Sequence, residues 1–214
     1  MSGDARFGPF APVFEKGELA VAGYLELLHL RGAGVQVVID RIATALRGND
    51  VARWVAALLA EVNWRPHLVA AIAFLLEPTH DVELLWGAIG RGSWVIPQLV
   101  VTAAHVDPRF RARVQERVAA LCPIAVPGGL TPLERHNTTG PGDRGARSAK
   151  LLASVLAMSA ELSDLAGWRT EVLGDARIQA LLATDRDHAE RLVGSWLVAV
   201  RAAFGARGRT LVLP

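Results

Sequence analysis

Residues 49–107 decide the fold, because NDVARWVAALLAEVNWRPHLVAAIAFLL (49–76) is followed by a second stretch of similar design, HDVELLWGAIGRGSWVIPQLVVTAAHVD (80–107). The two stretches match at offsets of 30 to 32 residues. The matched pairs are Asp50 with Asp81, Trp54 with Trp86, Asn63 with Ser93, Trp64 with Trp94, and Pro66 with Pro97. A match at this spacing is typical of repeated helical hairpins. We therefore predict two stacked hairpins that superimpose on each other.

Within each unit, apolar residues recur every three or four positions, as they do on one face of a helix. Asn63 and Ser93 suit the N-cap position, and a proline follows each of them near the first turn, where its missing N–H matters least. Each unit thus combines an outer helix with a very apolar inner helix. We expect Trp64 and Trp94 to occupy equivalent buried sites between neighbouring helices.

The rest of the chain is predicted to extend this pair into one all-α domain of stacked antiparallel helix hairpins, either a short α-solenoid or a helical bundle. Its predicted parts are an irregular arm (1–16) held down by phenylalanines, helical hairpins (17–121), one long irregular loop (122–147) and C-terminal helices (148–206). The loop contains four prolines and five glycines and has no helical period. Only the last five residues, TLVLP, resemble a strand.

The composition indicates that the chain folds, and the single cysteine suits a reducing compartment. Hydrophobic residues make up 51% and charged residues 21% of the 214 positions, which excludes a disordered chain. A single cysteine, Cys122, excludes an internal disulfide, and the N-terminus lacks the apolar run of an export signal, so we expect a cytoplasmic protein. The longest apolar run, 68–76, is about half the roughly 20 residues of a membrane span. We expect a buried core helix there and no membrane span.

The sequence contains no complete motif for catalysis or cofactor binding. The stretch 140–145, GPGDRG, has dinucleotide-binding spacing, but no strand precedes it, and Ala146-Arg147 stands where a P-loop needs Lys-Ser/Thr. Cys122 has no partner base nearby in sequence, and G-x-S-x-G is absent. The acidic residues and histidine at 185–190 are typical of a helix start rather than a metal site. We predict neither metal nor cofactor, and we leave enzymatic activity open while favouring a non-enzyme.

The long loop and the helix after it supply a first candidate surface. Cationic side chains cluster there, and free backbone N–H groups at a helix start favour an anion. The predicted residues, for an anion or an acidic partner, are Arg135, His136, Arg144, Arg147 and Lys150. The competing interpretation is a solvated loop whose arginines pair with neighbouring acids.

The inner helices supply a second candidate surface. Polar side chains interrupt their apolar runs. His67 and Gln98 occupy matched positions of the two units, at an offset of 31 residues. The predicted contact residues on this face are Arg65, His67, Gln98 and His105, with Thr102 between the last two.

Matched hairpins with caps, a proline near the inner helix start and an Asp-led outer helix resemble HEAT or armadillo repeats over residues 49–107. Proteins of that architecture mostly bind other proteins along a concave surface, and a minority bind damaged DNA. The resemblance implies a protein–protein interaction module, an adaptor or an inhibitor. One alternative is a nucleic-acid-binding protein or DNA-modifying enzyme that uses the 123–148 loop, the basic stripe Arg109, Arg113 and Arg117, and the basic tail Arg201, Arg207 and Arg209. Another is a small-molecule enzyme with a pocket under the 123–148 loop.

Overall fold

The computed structural model describes residues 5–19, 21–78, 80–121, 141–183 and 185–213, and for residues 5, 121 and 141–147 it describes the backbone alone. Every regular element within these ranges is a helix, and no strand occurs in them, at 210–213 or elsewhere. The prediction of an all-α fold is confirmed.

The helices follow one another with short connections. In the first half of the chain they are α1 (Ala11–Phe14), α2 (Gly23–His29), α3 (Val35–Ala45), α4 (Val51–Ala60), α5 (Trp64–Leu76), α6 (Val82–Gly90) and α7 (Ile96–Val106). In the second half they are α8 (Phe110–Leu121), α9 (Pro141–Ser159), α10 (Ala166–Gly174), α11 (Ala176–Leu182) and α12 (Arg186–Gly205). Two short 3-10 segments, Ala5–Phe10 and Ser163–Leu165, complete the described structure.

Two hairpins, α4–α5 and α6–α7, occupy residues 49–107. The helix starts follow from local chemistry, because the Asn63 side chain accepts a hydrogen bond from Arg65 N at 3.1 Å and the Asp81 side chain accepts one from Glu83 N at 3.0 Å. The predicted N-cap at Ser93 is wrong, because α7 begins at Ile96 after the N-cap residue Val95, and Ser93 Oγ accepts from Val95 N at 3.3 Å in the turn before it. The inner helices α5 and α7 pack on each other, as do the outer helices α4 and α6. The hairpins therefore stack side by side.

The core lies along the inner helices. All residues of α5 from 66 to 75 and of α7 from 96 to 104 are buried, because α2, α3 and α4 cover α5 while α6, α9 and α12 cover α7. A helix enclosed in this way is apolar on every side. The run 68–76 thus forms a core helix, with Leu76 partly exposed at its end. In the described ranges no single helix combines the length and apolarity needed to cross a membrane, and one pair bent by 118°, Ser148–Ser159 with Ser163–Gly174, meets those criteria only jointly.

Two predicted boundaries are wrong. Residues 5–14 of the predicted irregular arm form helical turns, with Phe10 fully buried and the Phe7 and Phe14 rings stacked at 4.1 Å. The predicted loop 122–147 ends early, because α9 begins at Pro141, a residue whose fixed φ suits the first helical position. Residues 122–140 lie outside the described ranges.

Candidate partner-binding surface

Two turns at equivalent positions, between α4 and α5 and between α6 and α7, are joined by buried hydrogen bonds. The His67 ring donates from Nε2 to the Glu61 carbonyl oxygen at 2.9 Å and accepts at Nδ1 from the Ser93 hydroxyl at 2.7 Å. Burial lowers the pKa of His67, which favours the neutral ring with its proton on Nε2. Arg91 also donates to the Leu59 carbonyl oxygen at 2.5 Å. The two turns are thereby held in a fixed relation.

Three aromatic rings run across these turns and form what we call the aromatic row. The Tyr24 ring of α2 meets the Trp64 ring edge to face, with centroids 6.0 Å apart and an interplanar angle of 80°. The Trp64 and Trp94 centroids are 5.1 Å apart at 46°. Such pairs are attractive beyond the area they bury, so each ring orients the next.

Two cations lie over the faces of these rings. The Arg65 guanidinium is 5.4 Å from the Tyr24 centroid and 5.1 Å from the Trp64 centroid. Lys150 Nζ is 5.4 Å from the Trp94 centroid and donates to the Trp94 carbonyl oxygen at 2.5 Å. Partial burial lowers the pKa of Lys150, and the Asp185 carboxylate opposes that shift. Positive charge therefore borders the aromatic row.

The exposure of the row increases toward Trp94. Trp64 is partly buried, whereas 60% of Trp94 and all of Val62 are exposed. The prediction that Trp94 occupies a buried site is therefore wrong, because Trp94 lies in a turn, before α7 begins at Ile96, rather than on a packed helix face. We call Val62, Trp64 and Trp94 the exposed patch. Adjacent exposed apolar side chains with a polar border often mark interaction sites.

The predicted inner-helix face is closed rather than open. His67 and Gln98 are each only 3% exposed, and Thr102 is fully buried. His105 is partly exposed and donates from Nδ1 to the Val101 carbonyl oxygen at 2.9 Å. Of the four predicted contact residues, Arg65 alone borders the exposed patch. His67, Thr102 and His105 use their polar atoms in hydrogen bonds within the protein, whereas the Gln98 side-chain oxygen has no partner among the described residues.

The predicted loop site is described only in part. Arg135 and His136 lie outside the described residues, and for Arg144 and Arg147 the structure describes backbone within α9. Lys150 does not lie at a helix start, as predicted, because α9 begins nine residues earlier at Pro141. Its contact with Trp94 instead brings the helix that follows the loop to the exposed patch. Sequence spacing gave no sign of this contact, since the two residues are 56 positions apart.

The basic stripe on α8 is engaged within the protein. Arg109 pairs with Glu116, Arg113 pairs with the buried Asp107 at 2.9 Å and with Glu83, and Arg117 lies 4.9 Å from the Trp86 ring centroid. The hydrogen bond from Arg113 lowers the pKa of Glu83. In the basic tail, Arg207 pairs with Asp40 at 2.5 Å and Arg209 donates to the Leu76 carbonyl oxygen at 2.9 Å. Arg113, Arg207 and Arg209 thereby join separate segments of the fold, whereas Arg109 pairs with the nearby Glu116, and Arg201, also part of the predicted basic tail, is exposed on α12.

Metal ligands are not gathered anywhere in the described ranges, where no group of three or more His, Cys, Asp and Glu side chains is placed to hold an ion. Asp81 and Asp107 act as helix caps, with Arg109 N donating to Asp107 Oδ1 at 2.8 Å.

Comparison with known proteins gives no family or relative for this chain. No protein-family model, no curated protein and no solved structure matches it.

Proposed function

We propose that this protein is a non-enzymatic protein–protein interaction module that binds an acidic, partly apolar segment of its partner at the exposed patch. The observation that carries the proposal is the 60% exposure of Trp94, whose ring contacts Trp64, two residues after the fully exposed Val62. Tryptophan is the side chain most enriched among residues that dominate interface energies. Such exposure of a large ring is costly in water unless a partner covers it. The proposal includes a helical-repeat scaffold of the HEAT or armadillo kind.

Rigidity supports recognition at this place. The row is braced by Tyr24 on one side and by Lys150 on the other, and the two turns are joined through His67. A partner that covers Trp94 would therefore lose little binding free energy to ordering of the surface, and pre-organised surfaces bind more tightly for that reason.

Charge favours an acidic partner segment. Arg65 and Lys150 lie on the border of the patch. Glu61 is the acid of this turn, and it pairs with Arg6 at 3.6 Å. Complementary charge across an interface raises association rates and selects the partner.

Nucleic acid is the alternative partner for these cations and rings, because bases stack on aromatic side chains. Its backbone needs a groove or stripe of several free cations. The stripe on α8 and the tail arginines Arg207 and Arg209 are engaged within the protein. A protein partner therefore agrees better with the arrangement.

The test uses calorimetric titration of the whole protein with peptides of equal length and apolar content but acidic, neutral or basic charge. We expect the acidic peptides to bind most tightly and Trp94→Ala to weaken them by about 2 kcal/mol or more, roughly thirtyfold in Kd. Val198→Ala is the matched control, because Val198 is 68% exposed on α12, away from the patch. It should leave binding unchanged.

Two results would contradict the proposal. The first is equal binding of acidic and basic peptides, or equal loss in the Trp94→Ala and Val198→Ala proteins. The second is tight binding of duplex DNA whose affinity falls steeply with salt, which would move the function to nucleic acid.

A further inference from the structure

A second site lies in a cleft between α2, α7 and α12, apart from the exposed patch. Its volume is about 290 Å³, near the lower end of cavities that hold small molecules, which begin at roughly 300 Å³. The walls are apolar at Leu28 and Leu192, and the floor includes Trp196, which is 2% exposed. The Trp196 indole N–H donates to the Leu27 carbonyl oxygen at 3.2 Å, which fixes the floor against α2.

The polar lining is cationic. Its cations are Arg31, just after α2, and Arg191 on α12, and the other polar lining residues are His29, His188, Ser195 and Gln98, with no carboxylate among them. Neither arginine takes part in an ion pair with a carboxylate in the part of the chain that the structure describes. This distinguishes them from Arg109 and Arg113, which pair with Glu116, Glu83 and Asp107. The cleft therefore holds uncompensated positive charge.

The lining also contains a buried acceptor. Gln98 enters from α7, is 3% exposed, and its side-chain oxygen has no hydrogen-bond partner in the described ranges. A buried polar atom without a partner is destabilising, so such atoms are retained where a ligand or water supplies the missing bond. Here the missing bond calls for a donor, such as a ligand hydroxyl.

We propose that this cleft binds a small phosphate monoester, with the phosphate held by Arg31 and Arg191 and a hydroxyl of the organic part donating to Gln98. Each guanidinium offers five N–H donors, and the two histidines add ring N–H donors. A phosphate monoester has three free oxygens that accept from several directions, whereas a carboxylate has two. His188 also lies in the first turn of α12, where the helix dipole favours an anion.

The experiment is calorimetric titration of the whole protein at constant ionic strength with inorganic phosphate, glycerol 3-phosphate and malate. We expect glycerol 3-phosphate to bind more tightly than inorganic phosphate, and malate to bind least. Arg191→Gln and Arg31→Gln should each weaken both phosphates by about tenfold or more, since each removes hydrogen bonds between charged groups. Gln98→Leu, of similar volume, should remove only the advantage of glycerol 3-phosphate.

The matched control is Arg201→Gln, which makes the same charge change on the same helix outside the cleft. Its phosphate affinity should equal that of the unchanged protein. Arg31 and Arg191 are exposed, so their variants should fold, and the thermal midpoint checks this.

Four results would overturn the proposal: no phosphate binding at millimolar concentration, malate binding as tight as glycerol 3-phosphate, an equal loss in Arg201→Gln, or unchanged affinity in both arginine variants. A phosphoserine peptide that binds more tightly than glycerol 3-phosphate would reassign the cleft to a protein ligand.

Discussion

The hairpins α4–α5 and α6–α7 carry tryptophans at matched positions but expose them differently. In the outer helices Trp54 is partly exposed, whereas Trp86 is fully buried and donates to Asp107 Oδ2 at 2.7 Å. At the inner helix starts the order is reversed, since Trp64, the first residue of α5, is partly buried and Trp94, in the turn before α7, is 60% exposed. The neighbours cause the difference: α8 covers Trp86 through Phe110, and Tyr24 of α2 covers Trp64. Matched sequence positions therefore do not imply matched roles.

The largest expected difference is between the effects of truncating the two tryptophans of the second hairpin. Trp86→Ala should lower the free energy of unfolding by about 3–5 kcal/mol, because it empties a core site and leaves Asp107 without its indole donor. Trp94→Ala should change it by about 1 kcal/mol or less, as surface substitutions do. Urea unfolding measures both values. Similar losses in the two proteins would mean that Trp94 is a structural residue.

A smaller effect is expected at the outer face of the first hairpin. Gly8 has φ +50°, and a Cβ placed there would lie 2.5 Å from Cε2 of Trp54. Gly8→Ala should therefore cost about 1–3 kcal/mol through backbone strain and displacement of the indole. Gly167→Ala on α10 is the control, since nothing lies within 4 Å of its added Cβ. Thermal unfolding that ranks the two variants equally would show that the N-terminal helical turns do not support Trp54.

The smallest expected effect is a pH dependence of folding stability that arises at His67, whereas its sequence equivalent Gln98 does not titrate. Burial lowers the pKa of His67 from 6.5, so the unfolded chain binds a proton more readily than the folded one. Stability should therefore be complete above about pH 6.5 and fall as the pH decreases below it toward the lower folded pKa. His67→Gln should reduce this slope, measured by urea unfolding across pH 5–8. Burial also lowers the pKa of His80 and His105, so part of the slope should remain. An unchanged slope in His67→Gln would contradict the assignment.

Local chemistry allowed much of the fold to be predicted. Apolar period and capping residues are properties of neighbouring positions, so the all-α class, the start of α5 at Asn63 and the start of α6 at Asp81 follow from them. The helical turns in residues 5–14 were missed because their packing on α4 involves a distant segment. Prolines and glycines there gave a pattern typical of irregular chain.

The candidate sites were predicted less well because they join distant segments. Lys150 was identified, but its contact with Trp94 spans 56 positions, and the cleft brings Arg31, Gln98 and Arg191 together from three helices. The periodicity within one segment carries no information about contacts between distant segments. The exposure of Trp94 could not be predicted for the same reason, because the burial of a turn residue depends on which distant segments cover it.

The central claim is that a partner protein covers Trp94, and site-specific photo-crosslinking tests it most directly. Benzoylphenylalanine in place of Trp94, expressed in the native cell, should yield a discrete adduct with one protein, joined through an acidic segment that mass spectrometry identifies. The same probe in place of Val198, which is 68% exposed on α12, should yield none. The same adducts at both positions, no protein adduct at position 94, or adducts with nucleic acid there would contradict the account.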